Sequence, residues 1–121
     1  MNTLSRGKWG EDVALNFLLE KGYSCAARSI RSRFGEVDLV VKDEEFIVFV
    51  EVKTRKNSNF AHAREFVGRE KQRKITATAN YWLSRNKSKL QPRFDVIEVY
   101  APGGQETKTP EIIHIENAFG V

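Results

Sequence analysis

The chain of 121 residues lacks several features that mark particular classes of protein. It has one cysteine, Cys25, which cannot form an internal disulfide and therefore favours a reducing compartment. Its longest apolar run, Phe46 to Val50, is far too short to span a bilayer. The polar segment from Met1 to Lys8 is unlike the start of a signal peptide. These absences predict a cytoplasmic protein with no membrane partner.

The chain also lacks the residue patterns of several catalytic and cofactor sites. Its two histidines, His62 and His114, have no cysteine, aspartate or glutamate partners at the spacing of a zinc site. No histidine is a candidate base for a serine hydrolase. Neither a P-loop nor a Rossmann glycine pattern is present, so no small-molecule cofactor is expected.

What the chain does have is the composition of one globular domain and an uneven distribution of charge. Hydrophobic residues make up 40% and charged residues 30% of the chain, so we expect a single domain over residues 1–121. The net charge is +4, and cations flank carboxylates in the middle of the chain. This distribution favours a polyanionic partner, and a solvated Lys/Arg surface is the alternative. The cations are Arg28, Arg31, Arg33, Lys53, Arg55, Lys56, Arg64, Arg69, Lys71, Arg73 and Lys74.

The apolar periodicity predicts the element order α-β-β-β-α-β-β and the α/β fold class, with a mixed β-sheet flanked by helices. Gly22 is expected to cap the first helix, and the second and third strands are expected to form a hairpin. Lys56 to Ala63 is predicted to be a loop. The helices are predicted over Lys8–Lys21 and from Arg64 or Phe66 to Arg85, and the strands over Tyr23–Ile30, Glu36–Val41, Phe46–Thr54, Phe94–Tyr100 and Glu111–Ile115.

Polar residues fall on the apolar stripe of each predicted helix. Glu11 lies three and four residues before apolar positions of the first helix, so it is expected on the core-facing side. A first-turn carboxylate favoured by the helix dipole is the alternative for Glu11. Lys71 and Gln72 extend the stripe of the second helix, where they would contact a backbone phosphate or simply form helix surface. The stripes are Ala14, Leu15, Leu18 and Leu19 in the first helix, and Ile75, Ala79, Trp82 and Leu83 in the second.

The third strand carries two charges in an otherwise apolar segment. Side chains alternate along a strand, so Glu51 and Lys53 should share a face with Ile47 and Phe49. Burying a carboxylate and an ammonium in a central strand is costly unless they pair or hold a metal. The pattern therefore indicates an active site, while Glu-x-Lys taken alone also fits a solvated pair.

Asp38, near the end of the preceding strand, is a second carboxylate of this candidate site. If Asp38 and Glu51 converge, their oxygens suit Mg²⁺ or Mn²⁺, with Glu11 as a third ligand, a ligand to a second metal, or a base acting through water. Lys53 would then orient the attacking water or stabilise the transition state of phosphodiester hydrolysis. A structural alternative is that Asp38 accepts backbone hydrogen bonds at a turn. Asp95 is expected to pair with a nearby cation.

Four segments together resemble one family of nucleases. They are Gly7–Ala14, Gly35–Val40, Val48–Arg55 and Arg93–Val96. With these segments the chain is similar, over nearly its whole length, to the YraN-like family of the PD-(D/E)XK nuclease superfamily, and to Holliday junction resolvases. The resemblance implies a restriction-endonuclease-like core, a divalent-metal site, DNA as partner, including branched DNA, and a homodimer. Val37 stands where the superfamily pattern has its proline.

The same resemblance implies a role for each candidate site residue. Asp38 takes the position of the motif's aspartate, Glu51 its second acidic position, and Lys53 its lysine. Glu11 corresponds to the glutamate on the first helix of the resolvase-like branch. The residues expected to bind nucleic acid are Lys71, Gln72, Arg55, Arg33 and Arg31.

Three hypotheses for the function follow. The leading one is a Mg²⁺- or Mn²⁺-dependent endonuclease that hydrolyses DNA phosphodiester bonds, at junctions or in repair or recombination. The second is a non-catalytic nucleic-acid-binding module that retains the nuclease fold. The third is a protein-interaction adaptor, which would need an exposed apolar face formed by Phe60, Phe66 and Phe119.

Overall fold

The computed structural model of the chain describes residues 3–56 and 67–120, with side chains described from Gly7 onward. The described elements follow the predicted order and confirm the α/β fold class. The predicted loop lies outside the described residues except for Lys56. The elements are α1 (Thr3–Glu20), β1 (Ser24–Ser32), β2 (Gly35–Lys42), β3 (Phe46–Arg55), α2 (Arg69–Arg85), β4 (Gln91–Tyr100), a short 3-10 helix (Gly104–Glu106) and β5 (Glu111–Phe119).

The described strands form one mixed sheet in the order β1-β2-β3-β4-β5. Only β3 and β4 run parallel, because the connection that contains α2 carries the chain back to the starting edge. The antiparallel ladder between β2 and β3 ends at the pair Leu39 and Val50. Asp38 and Glu51 are therefore the first residues of the two strands beyond the end of their ladder.

Each face of the sheet is covered by one helix. On one face, Ala14 and Leu18 of α1 are fully buried against residues such as Val50. On the other face, Ile75 and Ala79 of α2 pack in the cluster that contains Phe49. Complete burial of a side chain the size of Leu18 or Ile75 contributes about 1.5–3 kcal/mol, so both interfaces stabilise β3 as a central strand.

A close contact fixes α1 over the end of β3. A Cβ atom at Gly10 would lie 2.0 Å from the Thr54 hydroxyl oxygen, so a larger residue would force either the Thr54 side chain or the helix to move. Glu11 follows directly in the helix. Glycine at position 10 therefore sets how near Glu11 comes to the end of the β2–β3 ladder.

The structure corrects several predicted helix limits. Helix α1 begins at Thr3 instead of Lys8, and α2 begins at Arg69, since the two described residues before it are not helical. The earlier predicted starts of α2, Arg64 and Phe66, lie outside the described residues. The cap at Gly22 is confirmed, with φ +104°, and its N–H donates to the carbonyl of Leu19.

The predicted strands were also too short. Strand β1 continues to Ser32, β4 begins at Gln91, and β5 continues to Phe119. Backbone pairing with a neighbouring strand extends through these polar ends, whereas the apolar pattern used for prediction stops earlier. Strand bounds read from hydrophobic residues alone therefore miss the ends of the ladders.

Two predictions about apolar residues were wrong. Leu19 was placed on the buried stripe of α1, but it is 44% exposed, because the sheet covers the side of the helix centred on Ala14 and Leu18. Phe119 is not part of an exposed apolar face, since it is buried and its ring stacks on Phe94. No helix among the described residues has the length and apolar character needed to cross a membrane.

Candidate active site

Two carboxylates from neighbouring strands come together where the β2–β3 ladder ends. Asp38 Oδ2 accepts a hydrogen bond of 2.8 Å from the backbone N–H of Val52. Glu51 is buried, and Asp38 is partly buried. The predicted alternative for Asp38, a backbone hydrogen-bond acceptor, is thus part of its role, since this bond holds the carboxylate beside Glu51.

Two lysines approach the Glu51 carboxylate from different elements. Lys53 Nζ lies 3.8 Å from Glu51 Oε1, and Lys71 Nζ, from the first turn of α2, lies 2.6 Å from the same oxygen. The expected shared face of Glu51 and Lys53 is confirmed, because Ile47 and Phe49 of the same strand pack on the α2 side. Asp38, Glu51, Lys53 and Lys71 are called the acidic-pair cluster below.

The Asp38 carboxyl has an unfavourable electrostatic environment when it is ionised. Burial, followed by the nearby negative charge of Glu51, raises the pKa of Asp38 to about 7. The hydrogen bond from Val52 opposes this rise without cancelling it. At neutral pH, the Asp38 carboxyl can therefore both release and accept a proton.

The pKa values of the two lysines shift in opposite directions. Burial lowers the pKa of Lys53, and the neighbouring ammonium of Lys71 lowers it further. Burial also acts to lower the pKa of Lys71, but the hydrogen bond to Glu51 and the negative charge of Glu51, with smaller contributions from its neighbours, together outweigh burial and raise the pKa above the ordinary value. The charge of Asp38 acts on Lys71 in the same sense as that of Glu51. The carboxylates therefore favour a positive charge at Lys71, whereas burial and the Lys71 charge disfavour one at Lys53.

Glu11 lies beside the acidic-pair cluster, with a different closest partner. Its Oε1 is 3.9 Å from the Arg28 guanidinium, and together they line a surface groove of about 560 Å³. Burial raises the pKa of Glu11, and the Arg28 charge opposes that rise. The negative charge of Glu11 also contributes to the raised pKa of Asp38, so the two carboxylates are electrostatically coupled.

The residues predicted to bind nucleic acid occupy several places. Gln72 uses its side-chain amide to donate to the backbone carbonyl of Val67, a 2.7 Å bond just before α2. Arg55, at the end of β3, lines a pocket of about 340 Å³ at the ends of the parallel strands. Arg31 pairs with Glu36 at 3.1 Å, and its side chain is largely exposed. Of the predicted set, Lys71 alone has a described contact with Glu51; Arg33, the fifth member, lies at the β1–β2 turn.

The donor atoms fit a hard divalent cation that keeps part of its water shell. Within residues 3–56 and 67–120, no group of three or more His, Cys, Asp or Glu side chains is close enough to hold a metal. Asp38 and Glu51 offer carboxylate oxygens, and Mg²⁺ commonly uses one or two carboxylates together with several waters. The raised pKa of Asp38 indicates that positive charge beside this carboxyl would be stabilised, whereas the two ammonium groups at Glu51 would have to move aside for a cation to bind that carboxylate.

One buried carboxylate beside this cluster was missed in the sequence. Glu98 of β4 is fully buried and lies in register with Lys53. The Tyr100 hydroxyl donates to Glu98 Oε2 and this bond raises the pKa of Tyr100 to about 12, while no described residue hydrogen-bonds Glu98 Oε1. The signal was present, because Glu98 interrupts an apolar strand in the way that Glu51 does.

A second charged cluster lies on the opposite face of the sheet, on β4 and β5. Asp95 pairs in register with Val50, one residue before Glu51, and it packs on the α1 side. Arg93 donates two hydrogen bonds to Asp95, at 2.9 and 2.8 Å, and His114 Nε2 lies 2.7 Å from Asp95 Oδ2. The expected pairing of Asp95 with a nearby cation is confirmed. Asp95, Arg93 and His114, with Tyr23, are called the Asp95 cluster below.

Comparison with known proteins finds relatives that match this chain over nearly its whole length, but their names do not state an activity. Residues 10–99 match the family described as "Uncharacterised protein family UPF0102". A UPF0102 protein of Syntrophotalea carbinolica is 41% identical over 119 residues, covering 98% of this chain and 94% of the relative. A UPF0102 protein of Clostridioides difficile is 42% identical over 120 residues, covering 98% of this chain and all of the relative. Neither name states a substrate or a reaction.

Proposed function

Because this chain belongs to the UPF0102 family, whose name states no activity, we propose its function from the chemistry of the acidic-pair cluster. We propose a Mg²⁺- or Mn²⁺-dependent endonuclease that hydrolyses DNA phosphodiester bonds. The observation that carries the proposal is the convergence of Asp38 and Glu51 at the end of one ladder, with Lys53 and Lys71 at the same carboxylate. That combination supplies both cation ligands and cationic groups for a phosphate.

Each residue of the cluster has a distinct part in this proposal. Asp38 and Glu51 would hold the divalent cation, which, when bound, lowers the pKa of a coordinated water and neutralises charge on the phosphate. Lys53, whose side chain is 19% exposed and lies on a rigid central strand, would donate to the attacking water or to a phosphoryl oxygen. Lys71, 45% exposed, would move from Glu51 to a phosphate oxygen as substrate enters.

A polyanionic substrate also agrees with the charges around the cluster. Arg55 lies two residues beyond Lys53 on β3, and Arg28 lies beside Glu11 in the groove that borders the site. Cations at these positions would attract a phosphate backbone without reading its sequence. The proposal therefore includes binding that weakens as the salt concentration rises.

The direct test is a cleavage assay with defined substrates and cations. Purified protein would be incubated with linear duplex, single-stranded and four-way-junction DNA in Mg²⁺, Mn²⁺ or EDTA. We expect cleavage with a divalent cation and none in EDTA. Glu51→Gln should reduce the cleavage rate by about 100-fold or more, since one neutral oxygen replaces a charged ligand.

A matched variant makes this result specific. Glu116 is also a carboxylate near a cation, since its Oε1 lies 3.9 Å from the Arg93 guanidinium. It belongs to β5 and is not part of the acidic-pair cluster. Glu116→Gln should leave cleavage unchanged. Tight junction binding without cleavage of any substrate would favour the non-catalytic binding module, and cleavage that survives Glu51→Gln would place the chemistry elsewhere.

A further inference from the structure

The turn between β1 and β2 presents an aromatic ring to solvent. Phe34 is 43% exposed, one of three large hydrophobic side chains with that much exposure among the described residues. A single exposed hydrophobic residue needs no functional explanation by itself. Phe34 is different because its backbone is held in place, one cation lies over its ring, and two more lie on the neighbouring strand and helix.

Hydrogen bonds attach this turn to helix α2. The backbone N–H of Phe34 donates to the Ser32 hydroxyl at 3.0 Å, and that hydroxyl lies 2.8 Å from the hydroxyl of Thr78. Thr78 is fully buried on α2. The turn also approaches α2 at Gly35, where a Cβ atom would lie 3.5 Å from the Lys74 Cβ. The ring of Phe34 is thus presented from a fixed hairpin, so little ordering would be needed on binding.

One cation lies over the ring, and two others lie on neighbouring elements. The Arg33 guanidinium carbon is 4.9 Å from the centroid of the Phe34 ring. Arg31, with its side chain 77% exposed, lies on the adjoining strand and pairs with Glu36. Lys74, 58% exposed, lies on the adjoining helix, with its Nζ 4.0 Å from Glu70 Oε1. Both pairs are exposed, so a phosphate can replace the carboxylate at little cost. An exposed aromatic ring among cations is the combination that binds single-stranded nucleic acid, where bases stack on rings and phosphates pair with cations. A fully paired duplex does not offer the face of a base.

The ring is also at a useful distance from the acidic-pair cluster. Phe34 precedes Asp38 by four residues, and at about 3.3 Å per strand residue this separation is about 13 Å. That distance is about four base steps of a stacked strand, at roughly 3.4 Å per step. A strand of about four stacked nucleotides is therefore long enough to extend from Phe34 to Asp38.

We propose that Phe34 is a stacking platform for an unpaired base and that the protein selects DNA with an unpaired nucleotide near the position of cleavage. This inference rests on the proposed function, because it names the substrate class of the same site. Arg33 holds the ring, and Arg31 and Lys74 pair with the phosphates on either side of the stacked base.

The test measures binding separately from cleavage. In EDTA and with the Glu51→Gln substitution, affinity for single-stranded DNA and for a blunt duplex of equal length would be measured by fluorescence anisotropy. Phe34→Ala should weaken binding of the single strand about tenfold and leave duplex binding unchanged, because stacking on a base is lost. Phe34→Trp should restore the affinity, and its indole fluorescence should be quenched by the single strand.

A matched aromatic residue serves as the control. Tyr81 on α2 is also 43% exposed, and the Arg85 guanidinium carbon lies 4.8 Å from its ring centroid. Tyr81→Ala should change neither affinity. If Phe34→Ala lowers the affinity for single-stranded and duplex DNA equally, or lowers neither, the proposal that Phe34 stacks on an unpaired base is wrong. If Phe34→Ala weakens single-strand binding as expected but the wild-type protein cleaves no substrate, the proposed function is rejected and the stacking role of Phe34 is retained.

Discussion

Two charged clusters lie on opposite faces of the same sheet, and they are built in opposite ways. In the Asp95 cluster, one carboxylate receives two hydrogen bonds from Arg93, one from the backbone N–H of Asn117, and a contact from His114. In the acidic-pair cluster, two carboxylates are adjacent, and the described backbone bond to Asp38 comes from Val52 alone.

The pKa shifts of the two aspartates express this difference. Burial acts to raise the pKa of Asp95, but the bonds from His114 and Arg93 outweigh burial and leave it below the ordinary value. Burial and Glu51 together raise the pKa of Asp38 to about 7. Asp95 therefore stabilises the fold when ionised, whereas ionised Asp38 costs stability, as expected where a carboxylate is kept for chemistry.

Among the variants that test this comparison, Asp95→Asn is expected to have the largest effect, which is a loss of stability. The substitution leaves the largely buried Arg93 guanidinium with only the more distant and exposed Glu116 carboxylate as a charged partner, so the free energy of unfolding at neutral pH should fall by about 3 kcal/mol. Urea unfolding followed by circular dichroism measures this change. A loss below about 1 kcal/mol, as at a surface ion pair, would mean that the Asp95 cluster does not stabilise the fold.

Substitution of the two lysines of the acidic-pair cluster is expected to have the next largest effect, on the cleavage rate. Lys53→Ala should lower the cleavage rate about 100-fold, and Lys71→Ala about tenfold, because Lys53 lies on a rigid strand while Lys71 is more exposed on the first turn of a helix. Cleavage of junction and single-stranded DNA in Mg²⁺ measures both rates. Equal losses for the two variants would contradict this ranking.

Asp38→Asn should have a smaller effect on the free energy of unfolding, and it should raise this free energy where Asp95→Asn lowers it. The full shift of the Asp38 pKa corresponds to about 4 kcal/mol, and residual solvent contact reduces the expected gain in unfolding free energy to about 2 kcal/mol at about pH 8. Because the folded pKa is raised, the stability that protonated Asp38 provides is present below the unfolded value and is lost as pH rises through about 7.

The difference between wild type and Asp38→Asn should therefore disappear at about pH 4, where Asp38 is protonated in the folded protein. Unfolding in EDTA at a series of pH values gives the curve, with Glu116→Gln as a carboxylate control from outside the acidic-pair cluster. A gain that does not change with pH would show that Asp38 is not the titrating group.

Sequence alone predicted one of these clusters better than the other. Alternation along β3 placed Glu51 and Lys53 on one face, since that inference needs only the two-residue repeat of a strand. Glu98 follows the same logic in β4, but its position opposite Lys53 depends on the parallel register, which no local pattern gives. For Lys71, the periodicity gave the helix face but not its approach to Glu51.

The Asp95 cluster depends on a feature that the apolar pattern does not contain. Asn117 adopts a left-handed backbone conformation with φ 52°, near an irregularity in the β4–β5 ladder. This conformation accompanies the hydrogen bond from the Asn117 N–H to Asp95. The prediction of a cation partner for Asp95 was right, but His114 and Asn117 follow it by 19 and 22 residues, so only the fold brings them together.

The central claim is that Asp38 and Glu51 form a site whose repulsion a divalent cation relieves. Isothermal titration calorimetry with Mn²⁺, in buffers of different ionisation enthalpy, tests it most directly. At about pH 7 we expect Mn²⁺ binding with release of a proton from Asp38, and loss of that binding in Glu51→Gln. Identical Mn²⁺ binding by the wild type and Glu51→Gln, or no binding by the wild type, would contradict the account.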